Sequence, residues 1–228
     1  MFAVVGRSDV NPHTAVSKLV DLSQENPRQF TRIATVIVLV KPPFVQEDIA
    51  ATIKDLIGDI QDPTIKGQVY DSLMALYSDS NSDNLRGEFV EYLTFRVGPF
   101  FIGSGGGGLE RYVDRVRVIN KETGGAICGK KKSLDVGFKK EGDMCFVELW
   151  ECKVNVQSSR RGHTAGGLRG KLGYLQCLYE HLSLLRGSKV YLGVVSLAPS
   201  RPQERMPDGI YCLLLPDIER AIYRFHGE

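Results

Sequence analysis

The sequence predicts an α/β fold in which helices flank a central mixed β-sheet. In the first half of the 228-residue chain, apolar residues recur at helical spacings. The second half holds short β-branched and aromatic runs with turn signals between them, and one long amphipathic segment interrupts those runs. A helix, a run of strands, a helix and a further strand form the element order of an α/β domain with a mixed sheet.

Residues 1–85 are predicted to be a mainly helical N-terminal region. The segment "FTRIATVIVLV" (30–40) fits either a buried helix or a strand, and the polar cluster "SDSNSDN" (78–84) is the best candidate for a boundary before a second domain, 86–228. Prolines fall between the helical segments, where helices begin or end. The segments with apolar residues three and four positions apart are 14–22, 47–60 and 64–77.

The second domain is predicted to begin with a helix over 85–97 and a glycine-rich loop, "GPFFIGSGGGG" (98–108). That loop lacks the Gly-Lys-Ser/Thr ending of a P-loop, so we do not interpret it as a nucleotide site. A second long helix is predicted over 168–187, and "KETGG" (121–125) fits a hairpin turn. The predicted strands are 111–120, 125–131, 133–138, 145–156, 189–197 and 210–216.

Charge is distributed unevenly along the chain. Residues 1–85 carry a net charge of −4 and residues 86–228 a net charge of +6, which gives +2 in all. The stretch from Lys153 to Tyr179 contains five basic residues and no acid. An acid-free basic stretch suits a polyanionic partner such as nucleic acid.

The five cysteines are odd in number and include no C-x-x-C spacing. This pattern argues against both a disulfide framework and a zinc knuckle, and it favours a reducing, cytoplasmic environment. The N-terminus has no basic region followed by a long apolar run, so no signal peptide is predicted. The longest apolar run, "VIVLV" (36–40), is too short to span a bilayer, so no membrane partner is expected.

The stretch "CFVELWECKVNV" (145–156) has the composition of a buried strand, yet it contains Glu151 and Lys153 on one face. Buried charges are costly unless they are paired or bind a metal. Asp135 interrupts the preceding apolar strand, and an antiparallel pairing joined by the turn 139–143 would bring it close to Glu151. A divalent cation, Mg²⁺ above all, would relieve the repulsion between these two carboxylates.

This Asp-x15-Glu-x-Lys arrangement on consecutive strands resembles the PD-(D/E)xK nuclease superfamily, although Leu134 stands in the proline position. The resemblance covers about residues 86 to 200 and implies a restriction-endonuclease-like core. It implies that Asp135 and Glu151 bind Mg²⁺, for which Mn²⁺ would substitute. It further implies that the carbonyl of Cys152 is another ligand and that Lys153 is the catalytic lysine.

The same resemblance implies that a further acid comes from the helix before the first strand. Glu88 fits that place, and Glu91, one turn later, is the alternative. Members of the superfamily often place a polar residue of the next helix against the site, and the candidates here are Lys171 and Gln176.

We therefore expect a Mg²⁺-dependent nuclease that hydrolyses DNA. The side chains expected to bind the nucleic acid are Arg160, Arg161, Arg169, Lys171 and Gln176. The alternative is a nuclease-like subunit that no longer cuts and serves in binding or assembly. The sequence leaves open DNA or RNA, endo- or exonucleolytic cleavage, and whether the protein is a homodimer or part of a larger defence or repair complex.

Overall fold

The computed structural model describes residues 2–41, 46–102, 108–129, 132–140, 143–156, 165–184, 189–202 and 205–227. The strands are β1 (Phe2–Arg7), β2 (Leu109–Asn120), β3 (Leu134–Lys140), β4 (Asp143–Lys153), β5 (Lys189–Ser196) and β6 (Ile210–Leu213). The helices are α1 (Thr14–Glu25), α2 (Pro27–Leu39), α3 (Gln46–Leu56), α4 (Pro63–Ser78), α5 (Ser82–Val97), α6 (Ala165–Leu182) and α7 (Leu215–Phe225). A 3₁₀ turn, Gly98–Phe100, follows α5.

The six strands form one mixed sheet in chain order, which confirms the predicted α/β class. The pairs β1–β2, β2–β3 and β3–β4 are antiparallel, and the pairs β4–β5 and β5–β6 are parallel. Helix α6 makes the crossover between β4 and β5 that a parallel pair requires. Among the described residues, no helix has the length and apolar composition needed to cross a bilayer.

The N-terminal region is mainly helical, but it also contains the strand Phe2–Arg7, which pairs with β2 at the edge of the sheet. The predicted division at residue 85 falls within helix α5, and one hydrophobic core contains residues from both sides of it. The sequence pattern did not indicate this strand, because residues 2–7 lack the alternation of apolar and polar residues that is typical of a half-buried strand.

The three predicted N-terminal helices are present as α1, α3 and α4, and the ambiguous segment 30–40 lies mostly in helix α2. Proline occupies the first turn of α2 and of α4, where its missing N–H costs nothing. The Asp62 carboxylate accepts hydrogen bonds from the N–H groups of Thr64 and Ile65, which fixes the start of α4. The phenol of Tyr77 donates to main-chain carbonyls at the end of α2 and so joins the two helices.

Two expectations for the second half are wrong. Residues 125–131 do not form a strand: the described part has a single bridge, Ile119 to Ala126, followed by a turn. The chain after β6 forms helix α7 where a strand was expected to continue to residue 216, and this helix has a proline in its first turn. The first error comes from a short segment, in which tertiary contacts outweigh local preference. The second does not, because Ile218, Ala221 and Ile222 have the spacing of one buried helix face.

The sheet separates two hydrophobic cores. On one face the side chains of alternate β3 and β4 residues pack with helices α1 to α5 and α7, and on the other they pack with α6. Trp150 is fully buried on the first face. Its neighbour on β5 is Gly193, which leaves room for the indole ring. A Cβ at position 193 would lie only 2.7 Å from that ring. The next residue, Glu151, therefore faces α6.

Candidate active site

The carboxyl end of β4 carries a buried carboxylate between two ammonium groups. The Glu151 side chain is 1% exposed, and its two oxygens lie 2.5 Å from Nζ of Lys153 and 2.8 Å from Nζ of Lys171. Lys153 comes from the same strand and Lys171 from helix α6. A buried carboxylate with no remaining partner is strongly destabilising, and the two ammonium groups together prevent that for Glu151.

Asp135 lies at the start of β3, beside Glu151. The register pairs Val136 with Trp150, so the strand pairing predicted between these acids is confirmed. Oδ2 of Asp135 accepts a hydrogen bond of 2.7 Å from the N–H of Cys152. Burial, and then repulsion from Glu151, raise the pKa of Asp135 to about 6.

Helix α5 brings a third acid to this cluster. Burial raises the pKa of Glu91 to about 7, and repulsion from Asp135 and Glu151 adds to the shift. Glu88, one turn earlier, accepts a hydrogen bond of 2.8 Å from the N–H of His13. Both candidates for the helix acid therefore lie in this region, and Glu91 is the one that interacts with the acids of both strands.

The site combines one fully buried carboxylate with two partly exposed ammonium groups. Strand ends leave the sheet near solvent, so the side chains of Lys153 and Lys171 remain 36% and 29% exposed while Glu151 is covered. Burial acts to lower the pKa of Lys153, but Glu151 and Asp135 outweigh it, and the pKa lies above its ordinary value. Lys153 is therefore charged at neutral pH.

A cavity of about 170 Å³ opens beside Glu88 and Glu91. The segment between β1 and α1 forms one wall of it, and Asp114, a β2 residue with φ of +53° at a break in the strand register, forms part of another. The N-terminal residues thus reach the site, which the predicted separate N-terminal region did not anticipate. The lining residues are Arg7, Asp9, Val10, Asn11, Pro12, Glu88, Glu91, Tyr92, Val113 and Asp114.

Of the five side chains predicted to bind nucleic acid, the structure describes those of Lys171 and Gln176. Lys171 belongs to the acid cluster itself, where its Nζ also donates to the carbonyl of Ser133 at 2.6 Å. Gln176 donates to Glu180, one turn along α6. Arg160 and Arg161 lie outside the described residues, as does the side chain of Arg169.

The cysteines depart from expectation. Cys128 and Cys177 form a disulfide, with their Cα atoms 5.9 Å apart. The expectation of unpaired cysteines is therefore wrong for this pair, because 49 residues separate the two and spacing gives no sign of their contact. His181 lies against both sulfurs. The sequence indicated part of this cluster, because Cys177 and His181 are four residues apart on a predicted helix and therefore lie on one side of it.

The donors at the strand ends suit a hard divalent cation. Carboxylate and carbonyl oxygens are the ligands of Mg²⁺, and a bound cation would supply positive charge that offsets the burial and mutual repulsion raising the pKa values of Asp135 and Glu91. The ammonium groups now on Glu151 supply part of that charge, and a bound cation would compete with them for its oxygens. The carbonyl of Cys152 accepts a hydrogen bond of 3.1 Å from Lys153. These donors are of the types that Mg²⁺ prefers, but among the described residues the three acids do not bring their oxygens within 4.8 Å of one another.

The chain has no match among protein-family models, curated proteins or solved structures.

Proposed function

We propose that this protein is a Mg²⁺-dependent nuclease with a restriction-endonuclease-like core. One observation carries the proposal: Asp135, Glu151 and Glu91 converge from β3, β4 and α5, and Lys153 and Lys171 lie among them. Carboxylates that keep raised pKa values beside ammonium groups are more typical of a functional site than of a structural ion pair.

Asp135, Glu151 and the carbonyl of Cys152 would hold the cation, with Glu91 as the helix acid. Bound there, Mg²⁺ would polarise the scissile phosphate and activate a water for attack on phosphorus. The N–H of Cys152 fixes one oxygen of Asp135, so the orientation of that carboxylate is set before substrate arrives. Glu91, with a pKa of about 7, holds a proton for part of the time at neutral pH until a cation enters.

The lysines have separate roles in this proposal. The half-exposed ammonium of Lys153 can turn from Glu151 towards a phosphate and stabilise the negative charge that develops on it. Lys171 bonds to Ser133 as well as to Glu151, so it holds helix α6 against the segment that enters β3. DNA is the proposed substrate, because the basic residues between 153 and 179 suit a phosphate backbone.

The test is incubation of the protein with plasmid, linear and single-stranded DNA, in Mg²⁺, in Mn²⁺ or in EDTA. We expect cleavage with either metal, none in EDTA, and none by Asp135→Asn. Asp208→Asn, at an exposed turn, is the matched control and should cleave like the wild type. Binding of DNA without cleavage in any metal would instead favour an inactive nuclease-like subunit.

A further inference from the structure

A second cluster of chemically reactive side chains lies on helix α6, away from the acids. Nδ1 of His181 is 3.7 Å from Sγ of Cys128 and 3.8 Å from Sγ of Cys177. Within the part of the chain that the structure describes, these are the only three potential metal ligands of the Cys, His, Asp and Glu types whose donor atoms lie within 4.8 Å of one another.

The chain positions these groups by two independent local features. Cys177 and His181 are four residues apart on α6 and therefore share one side of the helix. Cys128 has a φ of +63°, an uncommon conformation for a residue with a Cβ, and it directs the sulfur of the loop after β2 towards α6. Both features are needed, because neither segment alone holds three ligands.

Two thiolates and an imidazole are a donor set for Zn²⁺, which three protein ligands can hold with a fourth position open to water. Metal binding needs both sulfurs as thiolates, whereas the disulfide uses the same sulfurs in a covalent bond. The His181 ring is exposed, so it can turn from the Cys177 carbonyl, 2.8 Å away, to offer a nitrogen to a metal. The two states of the cluster therefore exclude each other.

We propose that the reduced protein binds one Zn²⁺ through Cys128, Cys177 and His181, and that oxidation to the disulfide releases it. In that step each thiolate gives up one electron, and the Cys128–Cys177 bond forms. The two electrons reduce the S–S bond of a low-molecular-weight disulfide such as oxidised glutathione, whose two sulfurs leave as thiols after taking two protons from solvent. The Zn²⁺ leaves with its charge unchanged.

Either state would tie the same two segments together. Cys128 precedes Ser133, whose carbonyl accepts a hydrogen bond from Lys171, and Cys177 lies six residues after Lys171 on α6. The cluster therefore adds a second attachment between α6 and the segment that leads into Asp135. The proposed metal site does not depend on the nuclease proposal, since it uses none of the acids.

The test begins with full-length protein that has been reduced with a phosphine and stripped of metal. Co²⁺ is titrated in as the probe, in excess Mg²⁺ so that the oxygen donors of the acid cluster are occupied. We expect a thiolate-to-Co²⁺ charge-transfer absorption that saturates at one ion per chain and disappears when Zn²⁺ is added. Cys128→Ser and Cys177→Ser should lose the absorption, His181→Ala should weaken binding at least tenfold, and Cys212→Ser should bind like the wild type.

Oxidised wild-type protein provides a comparison that needs no substitution, and it should show no charge-transfer absorption. Adding oxidised glutathione to the zinc-loaded protein should release one Zn²⁺ to a chromogenic indicator for every two thiols lost. The proposal is overturned if the reduced wild type shows no thiolate absorption, if Cys128→Ser shows the same absorption as the wild type, or if the disulfide forms while Zn²⁺ stays bound.

Discussion

Helix α6 contacts two clusters that differ in almost every chemical respect. Towards its N-terminus, Lys171 reaches a buried carboxylate, and two turns later Cys177 and His181 lie at a partly exposed surface. The first cluster has oxygen donors whose charge depends on pH, and the second has sulfur and nitrogen donors whose charge depends on the redox state. Both connect α6 to the segment that runs from Cys128 to Asp135.

This difference in chemistry predicts which changes of sequence or solution each cluster responds to. Burial and mutual repulsion raise the pKa values of Asp135 and Glu91 while the ammonium groups of Lys153 and Lys171 oppose that repulsion, so the chemistry of this cluster depends on electrostatic balance and on pH. The cysteines need no such balance, because a disulfide is neutral. The acid cluster should therefore respond to charge substitutions and the sulfur cluster to oxidants.

Lys153→Met should reduce cleavage of plasmid DNA by about 1,000-fold, the scale on which loss of one charge-stabilising donor slows an enzyme. The fold should survive, because Lys171 still pairs with Glu151. Rates are compared at saturating Mg²⁺ with Lys189→Met, an exposed lysine at the opposite end of the parallel strands. Wild-type rates in Lys153→Met would remove this lysine from the chemistry.

Lys153→Met and Lys171→Met together should cost about 3–5 kcal/mol of unfolding free energy, since Glu151 is then buried with neither cation. Each single variant should cost less than about 1.5 kcal/mol, because one partner remains. Urea unfolding at pH 8 without metal measures the three values. Adding Glu151→Gln to the double variant should restore most of the loss; strictly additive single costs would contradict the shared pairing.

The metal-free protein should lose stability as pH rises from about 4 to above 7. The folded-state pKa values of Asp135 and Glu91, about 6 and about 7, lie above their ordinary values of 3.8 and 4.5. The folded state therefore binds more protons in this range, and ionising the two acids costs on the order of a few kcal/mol in total. Urea unfolding in EDTA between pH 4 and 8 measures the slope.

Glu91→Gln provides the control for that slope, because it cannot ionise and should flatten the curve between about pH 5 and 7. Mg²⁺ added at pH 8 should restore stability to the wild type, and much less to Asp135→Asn. An equal response of both proteins to Mg²⁺ would place the cation elsewhere.

Arg160, Arg161 and Arg169 should contribute the smallest effects. Replacing each with alanine should reduce the slope of log affinity against log salt by about one, as expected for a phosphate contact. Binding to duplex DNA is measured over a range of salt in the Asp135→Asn background, so that cleavage does not interfere. An unchanged slope in the triple variant would show that the basic stretch is not part of the DNA surface.

The sequence by itself determined the features that depend on neighbouring residues. Alternation within β4 placed Glu151 and Lys153 on one face and Trp150 on the other, and the short connection between β3 and β4 determined that Asp135 would lie beside them. Helical spacing determined most of the helices. These features follow from chain geometry over a few residues, in which periods of 2.0 and 3.6 are fixed by the backbone.

Only the tertiary structure decided which distant groups meet. It added Phe2–Arg7 to the sheet, directed Glu91 rather than Glu88 towards the strand acids, and gave Glu151 a second cation in Lys171. It also joined Cys128 to Cys177 beside His181. Each of these contacts depends on how helices and loops pack across tens of residues. The energy of that packing is shared among many side chains, and no local pattern of the sequence records it.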